Sequence, residues 1–170
     1  DNGGARRLNE YCPYNFKLTD VAAHSRSNRG EGNAYVDFLV KTLKPYVDKK
    51  YRTANDKENT FIAGSSMGAL ISLYAVLRYP AVFGAAAVFS PAFWIAPKIF
   101  DEIKTKGKKL SSKIYFFAGK LESETIVEGT QKAYAEMKKV SKSTIQMVIR
   151  NEGQHNEETW RNEFVFFYDW

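Results

Sequence analysis

The stretch Thr60-Phe61-Ile62-Ala63-Gly64-Ser65-Ser66-Met67-Gly68 decides how this chain is read. Residues 60–64 form a short apolar run without a polar face, which fits a strand covered on both sides. Past the run, Met67, Leu70, Ile71, Tyr74 and Leu77 recur at helical spacing. Tyr79-Pro80 stops that helix, because the residue before a proline is pushed out of helical geometry. Gly64-Ser65-Ser66-Met67-Gly68 matches G-x-S-x-G in the strand-to-helix setting of a nucleophile elbow. Such a turn projects the serine hydroxyl from the sheet edge. The glycines at 64 and 68 read as the small residues that let the two backbones pass. Ser66 is therefore the candidate nucleophile. The Met67 N–H, at the positive end of the helix, is a candidate oxyanion donor.

Outward from this turn, helices and strands alternate. Tyr35, Phe38, Leu39, Thr42, Leu43 and Tyr46 suggest one buried helical face, with Asn33 as N-cap. Pro45 must kink or end that helix. Further strands are expected over 85–89, 113–118 and 144–150. Helices are expected over 99–106, 126–140 and 157–170. The first thirty residues are polar and turn-rich, and residues 24–32 read as an exposed loop. Alternation of this kind predicts an α/β fold of three layers with a mostly parallel sheet.

A serine hydroxyl needs a base, and the chain has only two histidines. In this kind of fold the order is serine, acid, histidine, with the histidine after the last strand. His155, in Asn151-Glu152-Gly153-Gln154-His155-Asn156, meets that order; His24 precedes the elbow and does not. The acid belongs in Gly119-Lys120-Leu121-Glu122-Ser123-Glu124. Glu122 is preferred because it lies nearer the strand end. Glu124 competes, and also reads as a carboxylate at a helix N-terminus. The acid would hold the imidazole tautomer and stabilise the imidazolium.

Composition narrows the alternatives. With 170 residues and 44% hydrophobic content, the chain can bury one sizeable core. No apolar stretch is long enough to span a membrane. The net charge of +6 comes largely from lysines within 41–50, 104–109 and 138–142. These fall at predicted helix ends, where cations are favoured, and no nucleic-acid-binding motif accompanies them. Cys12 is the only cysteine, so no intrachain disulfide forms and no Cys/His metal pattern exists. The lone thiol fits the cytoplasm and a disulfide-free secreted or periplasmic setting alike. No signal peptide opens the chain, which begins Asp1-Asn2-Gly3-Gly4 without an initiator Met.

The sequence resembles the putative-esterase family of α/β-hydrolases, which includes enterochelin-esterase-like enzymes, feruloyl esterases, S-formylglutathione hydrolase and mycolyltransferases. The resemblance rests on YVDFLVKTLKPYVDKKYRT (35–53), IAGSSMGALISLYAVLRYPAVFGAAAVFSPAFW (62–94), FFAGKLESE (116–124) and GQHNEETW (153–160). It implies a single α/β-hydrolase domain over 1–170, with Ser66 as nucleophile, Glu122 as acid and His155 as base. It places Ser90-Pro91-Ala92-Phe93-Trp94 beside the pocket, with Trp94 as a substrate wall. It also places Asp1 to Gly4, Arg6 or Arg7, Glu10 and Tyr11 in a loop after an earlier strand. The implied reaction is hydrolysis of a small-molecule or carbohydrate-linked ester, with no metal or organic cofactor. An acyltransferase using the same residues, or a non-catalytic binding fragment, is the alternative. Family members have several strands before the point where this chain begins, one carrying the second oxyanion donor. The expectation is therefore a domain lacking its N-terminal strands. Its open edge at residues 60–64 would be covered by further polypeptide or by self-association.

Overall fold

The computed structural model of the chain describes residues 4–18 and 26–170. Its centre is a four-stranded parallel sheet of β3 (Phe61–Ser65), β4 (Ala85–Phe89), β5 (Lys113–Gly119) and β6 (Thr144–Arg150), paired in that order. The crossover helices are α4 (Met67–Arg78), α5 (Ile99–Lys106) and α6 (Glu124–Val140), and α7 (Glu157–Asp169) closes the chain. Before the sheet come α1 (Arg7–Tyr11), the antiparallel pair β1 (Phe16–Leu18) and β2 (Arg26–Asn28), then α2 (Gly32–Phe38) and α3 (Lys44–Lys50).

The alternation of side chains along the inner strands builds two cores. Ala86 and Val88 of β4 and Ile114 and Phe116 of β5 face α4, α5 and α6. Ala85, Ala87, Phe89, Tyr115 and Phe117 face the other way, toward Phe167 of α7. Phe89 meets Tyr115, Phe117 and Phe167 edge-on, with ring centres 5.9–6.4 Å apart. This is the three-layer arrangement expected from the sequence. Every residue of β4 is buried, which is why the strand reads as an unbroken apolar run. The expected boundaries of β4, α5 and β6 coincide with those observed.

The N-terminal third departs from expectation in three ways. Asn33 is not an N-cap: the helix begins at Gly32, and the Asn33 side chain instead accepts from the Tyr74 hydroxyl. Pro45 does not end the helix. A π-helical turn at Leu39–Leu43 precedes it, relieving the conflict between the ring and the preceding carbonyls, and α3 continues from Lys44. The buried face follows the predicted stripe only at Tyr35, which packs on the core. Val36 is buried and Val40 packs on the core, whereas Phe38, Leu43 and Tyr46 are exposed. The reason is the polar clamp that turns the helix. Asp37 accepts from Lys41 at 2.8 Å, Tyr79 at 2.7 Å and Arg78 at 3.0 Å, fixing the neighbouring Val36 against α4. These donors hold the Asp37 carboxyl well below the usual carboxylate range. Within residues 24–32, Arg26–Asn28 is a short strand rather than loop. His24 and Asp1 to Gly3 lie outside the described residues.

β3 stands at one edge of the sheet, with Phe61 53% exposed, so among the described residues the strand that leads into Ser66 is not enclosed on its outer side. Among the described residues, no helix is long and apolar enough to cross a membrane. The lysines predicted at helix ends do sit in last turns: Lys49 and Lys50 on α3, Lys104 and Lys106 on α5, Lys138 and Lys139 on α6.

Burial raises the phenols of Tyr14, Tyr35 and Tyr115, that of Tyr35 to about 12. A phenol that ionises later in the folded chain than in the unfolded chain leaves stability intact below about pH 10. Stability then falls as pH rises, because the unfolded state releases protons that the folded state retains. Urea titrations between pH 9 and pH 12 should show this decline, and Tyr35→Phe should flatten it by up to one proton. An unchanged slope in the variant would contradict the assignment.

Candidate active site

Ser66 stands between β3 and α4 with φ 56° and ψ −118°, outside the regions a non-glycine residue normally occupies. Its backbone is held on both sides. The Ser66 N–H donates to the Phe89 carbonyl at 2.9 Å, prolonging the β3–β4 ladder. Its carbonyl accepts from Ala69 and Leu70 in the first turn of α4, and from Ala92 at 3.2 Å. Gly64 is required by contact: a Cβ there would lie 2.4 Å from the carbonyl carbon and oxygen of Gly68. The expectation that both glycines make room is corrected at Gly68, where a Cβ would meet nothing within 4 Å. Gly68 contributes the backbone against which Gly64 is pressed. Met67 is the first residue of α4, and its N–H is among those a helix leaves without an intrahelical acceptor.

The structure brings Ser66, His155 and Glu122 together from three loops, each at the carboxyl end of a strand. His155 Nε2 lies 3.1 Å from Ser66 Oγ, and His155 Nδ1 lies 3.1 Å from Glu122 Oε2. The Glu122 side chain is fully buried, while that of His155 is 36% exposed. Glu124 is exposed in the first turn of α6, so the carboxylate facing the imidazole is Glu122. Glu122 Oε1 accepts from the Ser90 hydroxyl at 2.6 Å and from the Gly119 N–H at 3.0 Å. The Trp160 indole N–H donates to Ser90 Oγ at 2.9 Å, and its ring meets the His155 ring edge-on at 4.8 Å.

The loops bearing Glu122 and His155 are joined backbone to backbone. Lys120 N–H donates to the Arg150 carbonyl at 2.8 Å, and Leu121 N–H to the Gly153 carbonyl at 3.1 Å. A Cβ on Gly119 would sit 2.1 Å from the Gly153 oxygen, so no larger residue fits there. Beneath them, buried Glu163 of α7 accepts from Tyr115 at 2.5 Å and from Arg150 Nε at 2.9 Å. This ties the end of β6 to the helix that carries Trp160.

Sequence reading missed the contributions of Ser90, Trp160, Gly119 and Gly153. The glycines were visible as loop glycines beside the acid and the histidine, but their mutual contact is not a sequence property. Phe93 proves to be core, buried and edge-on to Phe100 at 5.7 Å. Trp94 is 48% exposed on the 3-10 turn Phe93–Ile95, two residues beyond the Ala92 contact to Ser66. A cavity of about 370 Å³ lies at the opposite end of the sheet, lined by Phe61, Lys113, Thr144 and Trp170 among others, and does not reach Ser66. Among the described residues, no His, Cys, Asp and Glu cluster forms a metal site.

A family described as "Putative esterase" matches residues 1–166. The uncharacterized protein YbbA of Bacillus subtilis (strain 168) is 29% identical over 93 residues, covering 52% of this chain and 34% of its own length. Among solved structures, the BES protein from Bacillus cereus superposes with a TM-score of 0.74 at 18% identity, over 88% of this chain and 59% of that one. The enterobactin esterase FES from Shigella flexneri, solved in the presence of enterobactin, gives a TM-score of 0.69 at 24% identity, over 79% of this chain and 36% of that one. At these identities the two structures speak to the fold. The 170 residues span about a third of YbbA and under two thirds of BES.

The contact at Gly64 makes a paired prediction. Gly64→Ala should destabilise the chain by roughly 3 kcal/mol, since backbone rather than a side chain must yield. Gly68→Ala should be neutral or slightly stabilising, because alanine is the better helix former and its Cβ meets open space. Denaturant midpoints of the two variants check both halves.

Proposed function

This chain belongs to the putative esterase family, and from that premise we propose that it hydrolyses a carboxylic ester through an acyl-enzyme on Ser66. The observation that carries the reading is the unbroken path from Ser66 Oγ to His155 to Glu122, with both steps at 3.1 Å. His155 Nε2 takes the hydroxyl proton as Oγ attacks the ester carbonyl. Glu122 holds the opposite nitrogen and stabilises the imidazolium that forms. The carbonyl oxygen becomes an oxyanion beside the Met67 N–H, at the positive end of the twelve-residue α4. His155 returns the proton to the departing alcohol, then activates the water that releases the acid. The strained backbone at Ser66 supports this role, since such strain gathers where a side chain must be presented.

One oxyanion donor is weak support for a developing charge, and among the described residues the outer edge of β3 is unpaired. We propose that the complete catalytic unit adds strands on that edge, along with the second donor. They would come from polypeptide outside these 170 residues or from a second copy. The exposed Phe61 on that strand favours such a cover. The substrate class is proposed as a small-molecule or carbohydrate-linked ester. Aromatic and siderophore esters come first, given the enterobactin esterase among the similar folds and the half-exposed Trp94 as a wall.

Ser66→Ala should lower p-nitrophenyl ester turnover by at least a thousandfold with the fold intact by circular dichroism. Retained turnover would remove Ser66 from the mechanism. A chain extended at its N-terminus should exceed the 170-residue chain in activity by tenfold or more. Equal activity in a monomeric 170-residue chain would overturn the incomplete-unit proposal. Hydrolysis rates across feruloyl, acetyl, short-chain and siderophore esters would then rank the substrates.

A further inference from the structure

We infer that Ser90 and Trp160 are positioning residues that orient the Glu122 carboxylate and, through it, select the tautomer of His155. The inference rests on the reading of Ser66 as nucleophile and His155 as base.

The direction of each hydrogen bond follows from what each group can do. An indole N–H only donates, so Ser90 Oγ must accept from Trp160 at 2.9 Å. The single Ser90 hydroxyl proton is then directed at Glu122 Oε1, 2.6 Å away, which also accepts from the Gly119 N–H. An ionised carboxylate has no proton to give in return. Oε1 is thus occupied by two donors, and Oε2 alone faces His155 Nδ1 at 3.1 Å. Nδ1 must carry the ring proton, which leaves Nε2 as the acceptor for the Ser66 hydroxyl at 3.1 Å. Each donor matters because the Glu122 side chain has no exposed surface where water could replace one.

Two further observations point the same way. Ser90 has φ 49°, a conformation where glycine would be easier, yet the position carries a hydroxyl. Trp160 touches both ends of the pair, the acid through Ser90 and the base through its edge-on contact with the His155 ring. A residue serving packing alone would not need the indole N–H aimed at a buried hydroxyl.

Ser90→Gly separates positioning from packing, because it deletes the hydroxyl while relaxing the backbone. In chains carrying His24→Asn, His155 is the only imidazole, and its nitrogen-15 resonances report the tautomer at a pH where the ring is neutral. The unmodified Ser90 chain should show protonated Nδ1. Ser90→Gly should give a mixture of tautomers and slow fluorophosphonate labelling of Ser66 about tenfold, beyond whatever the loss of two buried hydrogen bonds takes from the folded fraction. Trp160→Phe, which keeps a ring beside His155 but removes the N–H, should change both readouts in the same direction. The positioning role is overturned if Ser90→Gly leaves the His155 tautomer unchanged, or if the labelling rate falls only as far as the folded fraction does. Failure of the unmodified chain to label at Ser66 would count against the nucleophile reading, while the His155 resonances would still decide the role of Ser90.

Discussion

The arrangement around Ser66 depends on backbone lying against backbone where Gly64 meets Gly68. A Cβ at position 64 would come within 2.4 Å of the helix carbonyl, so the strand enters the helix only because that atom is absent. The short turn this permits puts Ser66 at φ 56° and starts α4 at the next residue. The energetic cost of such a conformation, of order 1–3 kcal/mol, must be offset by its surroundings. They do so with hydrogen bonds to Ser66 from three elements: the first turn of α4, Phe89 at the end of β4, and Ala92 beyond it. α4 is buried on every side from Ala69 to Leu77, held between the sheet and the neighbouring helices α1, α2 and α5.

A parallel sheet carries this local geometry to the rest of the site. Because β3, β4, β5 and β6 run the same way in sequential order, the loops after them gather along one edge. Ser66, Ser90, Glu122 and His155 come from these four successive loops. The Glu122 and His155 loops gain rigidity from the Gly119 and Gly153 contact and from backbone bonds that cross between them. Burial of Glu122 then makes its hydrogen-bond partners matter, since nothing else solvates it. The buried carboxylate of Glu163 performs a similar service one layer down, fastening α7 to β5 and β6 through Tyr115 and Arg150.

Much of this was legible where local pattern and burial agree. The inner strands read directly because both faces are covered, and α6, expected over 126–140, buries Ile126, Thr130, Ala133 and Met137 at helical spacing. Legibility failed where polar contacts overrode the pattern. Of the stripe with helical period, Tyr35 packs on the core but Phe38, Leu43 and Tyr46 do not, because Asp37, held by Lys41, Tyr79 and Arg78, turns Val36 inward. Asn33 has the chemistry of a cap but finds Tyr74 first. The strand Arg26–Asn28 is three residues long and polar, too short to announce itself by alternation.

By itself the sequence determined the α/β order, the turn at Ser66 and the position of His155 after the last strand. Each of these is written in contiguous residues, as a run, a period or a motif. Only the tertiary structure shows which of Glu122 and Glu124 lies against the imidazole, because a single residue of chain separates them and the contact is made to a ring 33 positions from Glu122. It alone revealed Ser90 and Trp160 as partners, 70 residues apart and joined by a single hydrogen bond. A hydrogen bond between distant residues leaves no periodic trace, since its geometry is set by how strands and helices pack rather than by the spacing of residues along the chain.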